Sequence, residues 1–212
     1  MRPQSLPISQ MQSPIEQLTS NFHFRSPKFV PEIKVLSAVN GLSNYPKVRQ
    51  PDDVYGYVIP FWGGQLLARY ILQNPGIVSG KKVLDFGCGT GQVGIAAAKS
   101  GAIVSCLDQD PMALEFAYKN AKHNDVEIDF IWGNENNLGD GYDLYLFADV
   151  FHLTVAEQLW YFAKSKKSLV SLADTKLRDV TGLALRDSLS PREGKNIYLY
   201  SSYKDQGQQA CQ

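Results

Sequence analysis

The stretch Val83–Gly94, VLDFGCGTGQVG, joins an apolar run of strand character to glycines at 87, 89, 91 and 94. A strand that turns into a helix through such a loop is the opening unit of a doubly wound sheet. The absent side chains let the backbone reverse tightly and approach a ligand. From Gly89 the spacing is G-x-G-x-x-G, a dinucleotide fingerprint, and from Gly87 it is G-x-G-x-G. Glycine spacing alone leaves the ligand open.

The flanking chain repeats the strand and helix alternation. GGQLLARYIL, from Gly63, sets Leu66, Leu67, Tyr70 and Ile71 on one helical face and stops at Asn74-Pro75-Gly76. KKVLDF reads as a buried strand, GQVGIAAAKSG as a helix of small residues, and IVSCLD as the next strand. Asp110-Pro111 then caps and opens a helix with Leu114, Ala117, Tyr118 and Ala121 inward. EIDFIWG and DLYLFADV are two further strands, and the Asn-rich GNENNLGDG between them is a loop. Thr154 and Glu157 form a capping box opening TVAEQLWYFAKS, with Val155, Leu159 and Phe162 inward, and SLVSLAD closes the series. The expected fold is α/β, a doubly wound, mostly parallel, Rossmann-like sheet. Its C-terminal strands should be reduced, with a possible helix over TGLALRDSL and a strand over NIYLYSSY, where Tyr198 and Tyr200 cover one face. The expected boundaries are a flexible leader at 1–28, an extension packing on the core at 29–62, the ligand-binding domain at 63–205 and a flexible tail at 206–212.

Composition narrows the function. With 44% hydrophobic residues in 212, the chain suits one core. Lys plus Arg is 21 and Asp plus Glu is 21, and no long basic run exists, so nucleic acid is not an expected partner. Cys88, Cys106 and Cys211 lack paired metal spacing and read as reduced packing residues, so no metal is expected. No apolar run is long enough to span a bilayer, so no membrane partner is expected. The protein should be cytoplasmic. Residues 1–30, with Arg2, Arg25, Lys28 and the single acid Glu16, leave a mitochondrial transit peptide as the alternative.

Asp85 bears on the ligand. Two residues before the first glycine, an anion there would repel a pyrophosphate, whereas S-adenosylmethionine presents an ammonium and a sulfonium. Asp108 ends the second strand 23 residues later, placed to accept both ribose hydroxyls, with Asp110 already serving as the helix cap. After the third strand, Trp132 and Asn134 are placed to meet the adenine by stacking and amide hydrogen bonding; the competing reading is that Trp132 only packs.

VLDFGCGTG and LDQDP together resemble the first motif and the second-strand acid of the class I, seven-strand methyltransferases that use S-adenosylmethionine. More narrowly, FVPEIKV, PFWGGQLLARYIL and ADVFH resemble the lysine methyltransferases acting on the electron transfer flavoprotein beta subunit and their bacterial relatives, over about residues 29–175. The resemblance implies a protein substrate. It also implies that Gly87, Gly89 and Gly91 surround the cofactor, that Asp108 holds its ribose, and that Trp62, Gly64 and Gln65 form the pocket's outer wall. Asp149 matches the acid of the family's D-x-F-Y signature, which lines the methyl-transfer site, with His152 in place of the tyrosine. The segment between PFW and GGQ is shorter than in the relatives, and ADTKLRD replaces a glycine and arginine loop.

Lysine must lose a proton before it attacks, so Asp149 could orient the ammonium and His152 accept a proton directly or through water. Packing on Phe151 is the competing role for His152. His123 suits a helix C-terminus, His23 falls in the leader, and Lys164, Lys166 and Lys167 form a solvated helix end. A small-molecule N- or O-methyltransferase and a non-catalytic protein of the same fold remain alternatives.

Overall fold

Residues 22–38, 60–150, 156–173 and 180–203 are described by the computed structural model. In chain order they form β1 (Phe22–Arg25), β2 (Val35–Ala38), α1 (Trp62–Gln73), β3 (Lys82–Phe86), α2 (Gln92–Lys99), β4 (Ile103–Asp108) and α3 (Pro111–His123). There follow β5 (Asp129–Trp132), β6 (Leu144–Ala148), α4 (Ala156–Ser165), β7 (Ser168–Ala173), β8 (Ala184–Arg192) and β9 (Lys195–Ser201). Short 3-10 turns occupy Pro75–Ile77 and Glu135–Asn137.

Seven strands make one sheet in the order β5-β4-β3-β6-β7-β9-β8, and β1 pairs with β2 separately. The first five are parallel and β9 runs antiparallel to both neighbours. Strand order reverses between β3 and β6, the position at which a doubly wound sheet opens a crevice beyond its carboxyl ends. The two sheet faces follow the period-two alternation of the strands. Val83, Val104, Cys106, Leu144 and Leu146 pack under α1, α2 and α3. Leu84, Phe86, Leu107, Tyr145 and Phe147 pack against α4 through Leu159 and Trp160. In α1, Leu66, Leu67 and Ile71 are fully buried, each contributing about 1.5–3 kcal/mol by leaving water.

Two expectations for the C-terminal region are overturned. TGLALRDSL is not a helix, because Ala184–Arg192 is strand β8, paired with β9. The last strands are not reduced either: they span nine and seven residues and complete the sheet. Ala, Arg and Leu favour a helix locally, but ladder pairing with β9 outweighs that propensity, and the sheet edge tolerates Pro191.

Residues 22–28, expected in a flexible leader, include β1, so His23 lies on a strand. Val30 and Ile33 enter the core, and Asn120 of α3 and Asn124, which caps the end of α3, accept from the backbone N–H groups of Leu36 and Lys34. His123 stacks on Phe24, with ring centroids 3.7 Å apart. Lys166 pairs with Asp140 and Lys167 lies over the Tyr203 ring. No helix among the described residues is long and apolar enough to cross a membrane. Thr154, Val155, His152 and Cys211 lie outside the described residues.

Candidate active site

The glycine loop leaves β3 and enters α2 with Gly87, Gly89 and Gly91 at φ 65°, 52° and 73°. The left-handed region suits residues without Cβ, so these positions hold a turn that L side chains would strain. Its backbone is fixed from both sides: Gly87 N–H donates to Leu107 O (2.8 Å), and Asn120 Nδ2 donates to Thr90 O (2.8 Å).

Two helices meet the site with no side-chain cap of their own, at Gly91 for α2 and Phe61 for α1. Acids at strand ends supply the missing acceptors. Asp85 of β3 accepts from Gly94 N–H in the first turn of α2 (2.9 Å), and Asp149, just past β6, accepts from Gly63 N–H in the first turn of α1 (2.9 Å). Both therefore sit where unpaired N–H groups and the helix dipole favour negative charge. Asp149 has φ 58°, an uncommon conformation for a residue with a side chain and one that clusters at functional sites. Gly63 is required there, since a Cβ would lie 2.5 Å from both Asp149 carboxylate oxygens.

Asp85 is placed differently from the expected ligand-facing anion. It is on the same side of β3 as Val83, 1% exposed, turned toward α2 and within 3.9 Å of Cys106 Sγ. Burial raises its pKa from 3.8 to about 7, against the opposing pull of the Gly94 N–H. The folded protein thus keeps a proton on Asp85 between about pH 4 and 7 that the unfolded chain releases. Its contribution to stability is complete below about pH 4 and is lost as pH rises to 7, a change on the order of 4 kcal/mol. The thermal midpoint of the cofactor-free protein should accordingly fall between about pH 5 and 7.5, and Asp85→Asn should flatten that slope. A wild-type midpoint that rises across this range, or a slope unchanged in the variant, would count against a buried, proton-holding Asp85.

Cys88, within the loop, and Cys106, on β4, are buried free thiols. The pKa of Cys88 is raised by its hydrogen bond with Cys106 and by burial, and that of Cys106 is also raised. Both stay protonated and pack, as expected. No cluster of metal-ligating side chains exists among the described residues.

Asp108 ends β4 beside the loop. Its two oxygens accept from Gly89 N–H and Asp110 N–H, both at 3.0 Å, so the loop fixes the carboxyl's orientation, and burial raises its pKa against the pull of these bonds. Asp110 caps α3 by accepting from Met112 N–H (2.8 Å). Trp132 is exposed and braced by its Nε1 donating to Gln109 O (3.0 Å), which sets its ring next to Asp108. Asn134 is otherwise employed: its side-chain oxygen caps the turn at Glu135–Asn137.

The outer-wall residues separate in the same way. Gln65 is buried, with Nε2 donating to Pro60 O (2.6 Å) and Oε1 accepting from Phe29 N–H (3.0 Å), so it clamps the chain in front of α1. Gly64 gives room to Gln92, whose Nε2 donates to Phe61 O (3.2 Å). Trp62 lies under Arg192 and Lys195 of the β8–β9 hairpin. Gln92, absent from the expected set, is 5% exposed, and its Oε1 is buried with no hydrogen-bond partner. Phe61 O fixes which amide atom faces it, so the orphan at the first residue of α2 is an acceptor. A lone buried acceptor beside a glycine cradle fits a ligand that brings N–H donors. Its only sequence signal is a polar residue directly after the loop.

A shallow groove lined by Phe22, Phe24, Leu36, Tyr118 and His123 lies at the far end of α3 and contains none of these groups.

The profile described as "Methyltransferase small domain" matches residues 47–170, more than half of the chain. The chain belongs to the small-domain methyltransferase family. Among similar proteins, the electron transfer flavoprotein beta subunit lysine methyltransferase of Danio rerio is 42% identical over 106 residues, covering 44% of this chain and 39% of that protein. The human protein of the same name is 38% identical over 108 residues, covering 47% and 41%. The ribosomal protein L11 methyltransferase of Wolinella succinogenes is 46% identical over 68 residues, covering 32% and 25%. The matches thus span about two fifths of the length of the flavoprotein methyltransferases. A solved Pyrococcus abyssi tRNA (uracil-54, C5)-methyltransferase, in complex with S-adenosyl-L-homocysteine, shares the fold at TM-score 0.56 and 16% identity over 85% of this chain and 44% of its own.

Proposed function

We propose that this methyltransferase-family chain uses S-adenosylmethionine to methylate a lysine side chain of a protein. The observation that carries the reading is Asp149, an anion pinned at the carboxyl end of β6 beside the glycine loop. The names of two similar proteins, each matched over about two fifths of its length, support the acceptor class.

Gly87, Gly89 and Gly91 would bring backbone against the cofactor, Asp108 would accept from its ribose hydroxyls, and the face of Trp132 would meet its adenine. Gln92 Oε1 would take an N–H of its ammonium. When bound, S-adenosylmethionine supplies an electrophilic methyl on a sulfonium. The protein's remaining work is to orient the acceptor nitrogen in line and let its proton leave, and positioning accounts for much of such a rate. Asp149 would hold the lysine ammonium. Held by Gly63 N–H at the start of α1, it is placed to orient the cation. His152 is proposed as the proton acceptor.

Purified protein incubated with methyl-tritiated S-adenosylmethionine and a lysate from cells lacking it should label a protein band that yields methyl-lysine on hydrolysis. Label confined to small molecules would transfer the assignment to a small-molecule methyltransferase, and no label would favour a binding protein.

A further inference from the structure

The β8–β9 hairpin ends on the ligand side of the sheet. Ala173, at the carboxyl end of β7, pairs with Ile197 near the start of β9, and Arg192 pairs with Lys195 across the Glu193-Gly194 turn. The Arg192 guanidinium and the Lys195 ammonium lie 5.3 and 5.1 Å from the centroid of one ring, that of Trp62. Trp62 immediately precedes Gly63, the residue that binds Asp149. Arg69 of α1 reinforces the arrangement by pairing with Asp187 of β8 at 2.8 Å.

Arg192 and Lys195 have no acidic partner among the described residues, and the only acid in the turn, Glu193, is exposed. Two like charges held over one ring repel each other, and that repulsion is relieved when an anion sits between them. They would also repel a bare lysine ammonium approaching Asp149. The rim therefore discriminates by context, against a lysine among neutral or basic residues and in favour of one accompanied by carboxylates.

The geometry points to the hairpin tip, Arg192 and Lys195 over Trp62, as a docking surface for an acidic segment of the protein substrate flanking the target lysine. This rests on the proposed lysine methylation. A nucleic acid is less suited: two cations give a small phosphate footprint, and the chain carries no net charge.

The test uses a short fluorescent peptide with a central lysine flanked by glutamates, its serine-flanked counterpart and an oligouridylate of equal charge. At low salt the protein should bind the glutamate peptide about tenfold more tightly than the serine peptide, with the difference shrinking as salt rises. R192E/K195E should abolish the preference and R192Q/K195Q should leave less of it than wild type, while S-adenosylhomocysteine affinity, measured on each variant, stays unchanged. Equal affinity for the two peptides, a preference untouched by charge reversal, or tighter binding of the oligouridylate would overturn the inference. Methyl transfer to each peptide is followed in parallel. Charge-dependent binding without any transfer would refute the enzymatic reading and spare the docking surface, and transfer without charge dependence would do the reverse.

Discussion

Replacing Asp149 with asparagine is expected to lower methyl transfer by about a hundredfold, the scale of loss when a reacting group is no longer held in line. Cofactor affinity should change little. Asparagine keeps an acceptor for Gly63 N–H and tolerates the left-handed backbone, so the start of α1 stays anchored and the thermal midpoint should hold. Only the charge is removed. Asp149→Ala removes the anchor as well and should cost about 1 kcal/mol of stability besides activity, as loss of a helix cap does. The pair of variants separates chemistry from architecture: single-turnover rates that are unchanged in Asp149→Asn would sink the proposed role, whatever happens in Asp149→Ala.

Asp108→Ala should weaken S-adenosylhomocysteine binding by on the order of a hundredfold or more. Two hydrogen bonds to a charged acceptor are worth about 1.5–3 kcal/mol each, and both are lost together. The same substitution strips the partners of Gly89 and Asp110 N–H groups, so the loop loosens too. Asp108→Asn, which can retain one backbone acceptor, should fall between. Isothermal titration of the three proteins decides the matter, and affinity within threefold of wild type in Asp108→Ala would remove Asp108 from the cofactor site.

Much of the scaffold was legible because it is local. The glycine spacing of 87, 89 and 91 and the pair Asp110-Pro111 each specify a turn within a few residues, and both are realised. Asp85 was located by sequence but not aimed by it. Its period-two partnership with Val83, a core residue, was the available sign that it faces α2. Gln65 and Asn134 look equally ligand-like in one dimension, yet Gln65 engages both ends of its amide with Phe29 and Pro60, and Asn134 commits its side-chain oxygen to the turn at Glu135. The cap between Gly63 and Asp149 joins residues 86 apart, and no local pattern announces such a pair. β8 is hidden for a different reason: although β9 lies just across the Glu193-Gly194 turn, β8 is an edge strand with only one buried side chain, Leu189, to mark its period.

The strand order β5-β4-β3-β6-β7-β9-β8 places the tip of the final hairpin and the glycine loop on different halves of the sheet, each supported by its own strands. The hydrogen bonds that hold Gly89, Gly94 and Asp108 involve no residue of the hairpin. The protein is in this sense divisible: a tip of another length or charge at Glu193-Gly194 would leave the hydrogen bonds of the glycine loop intact.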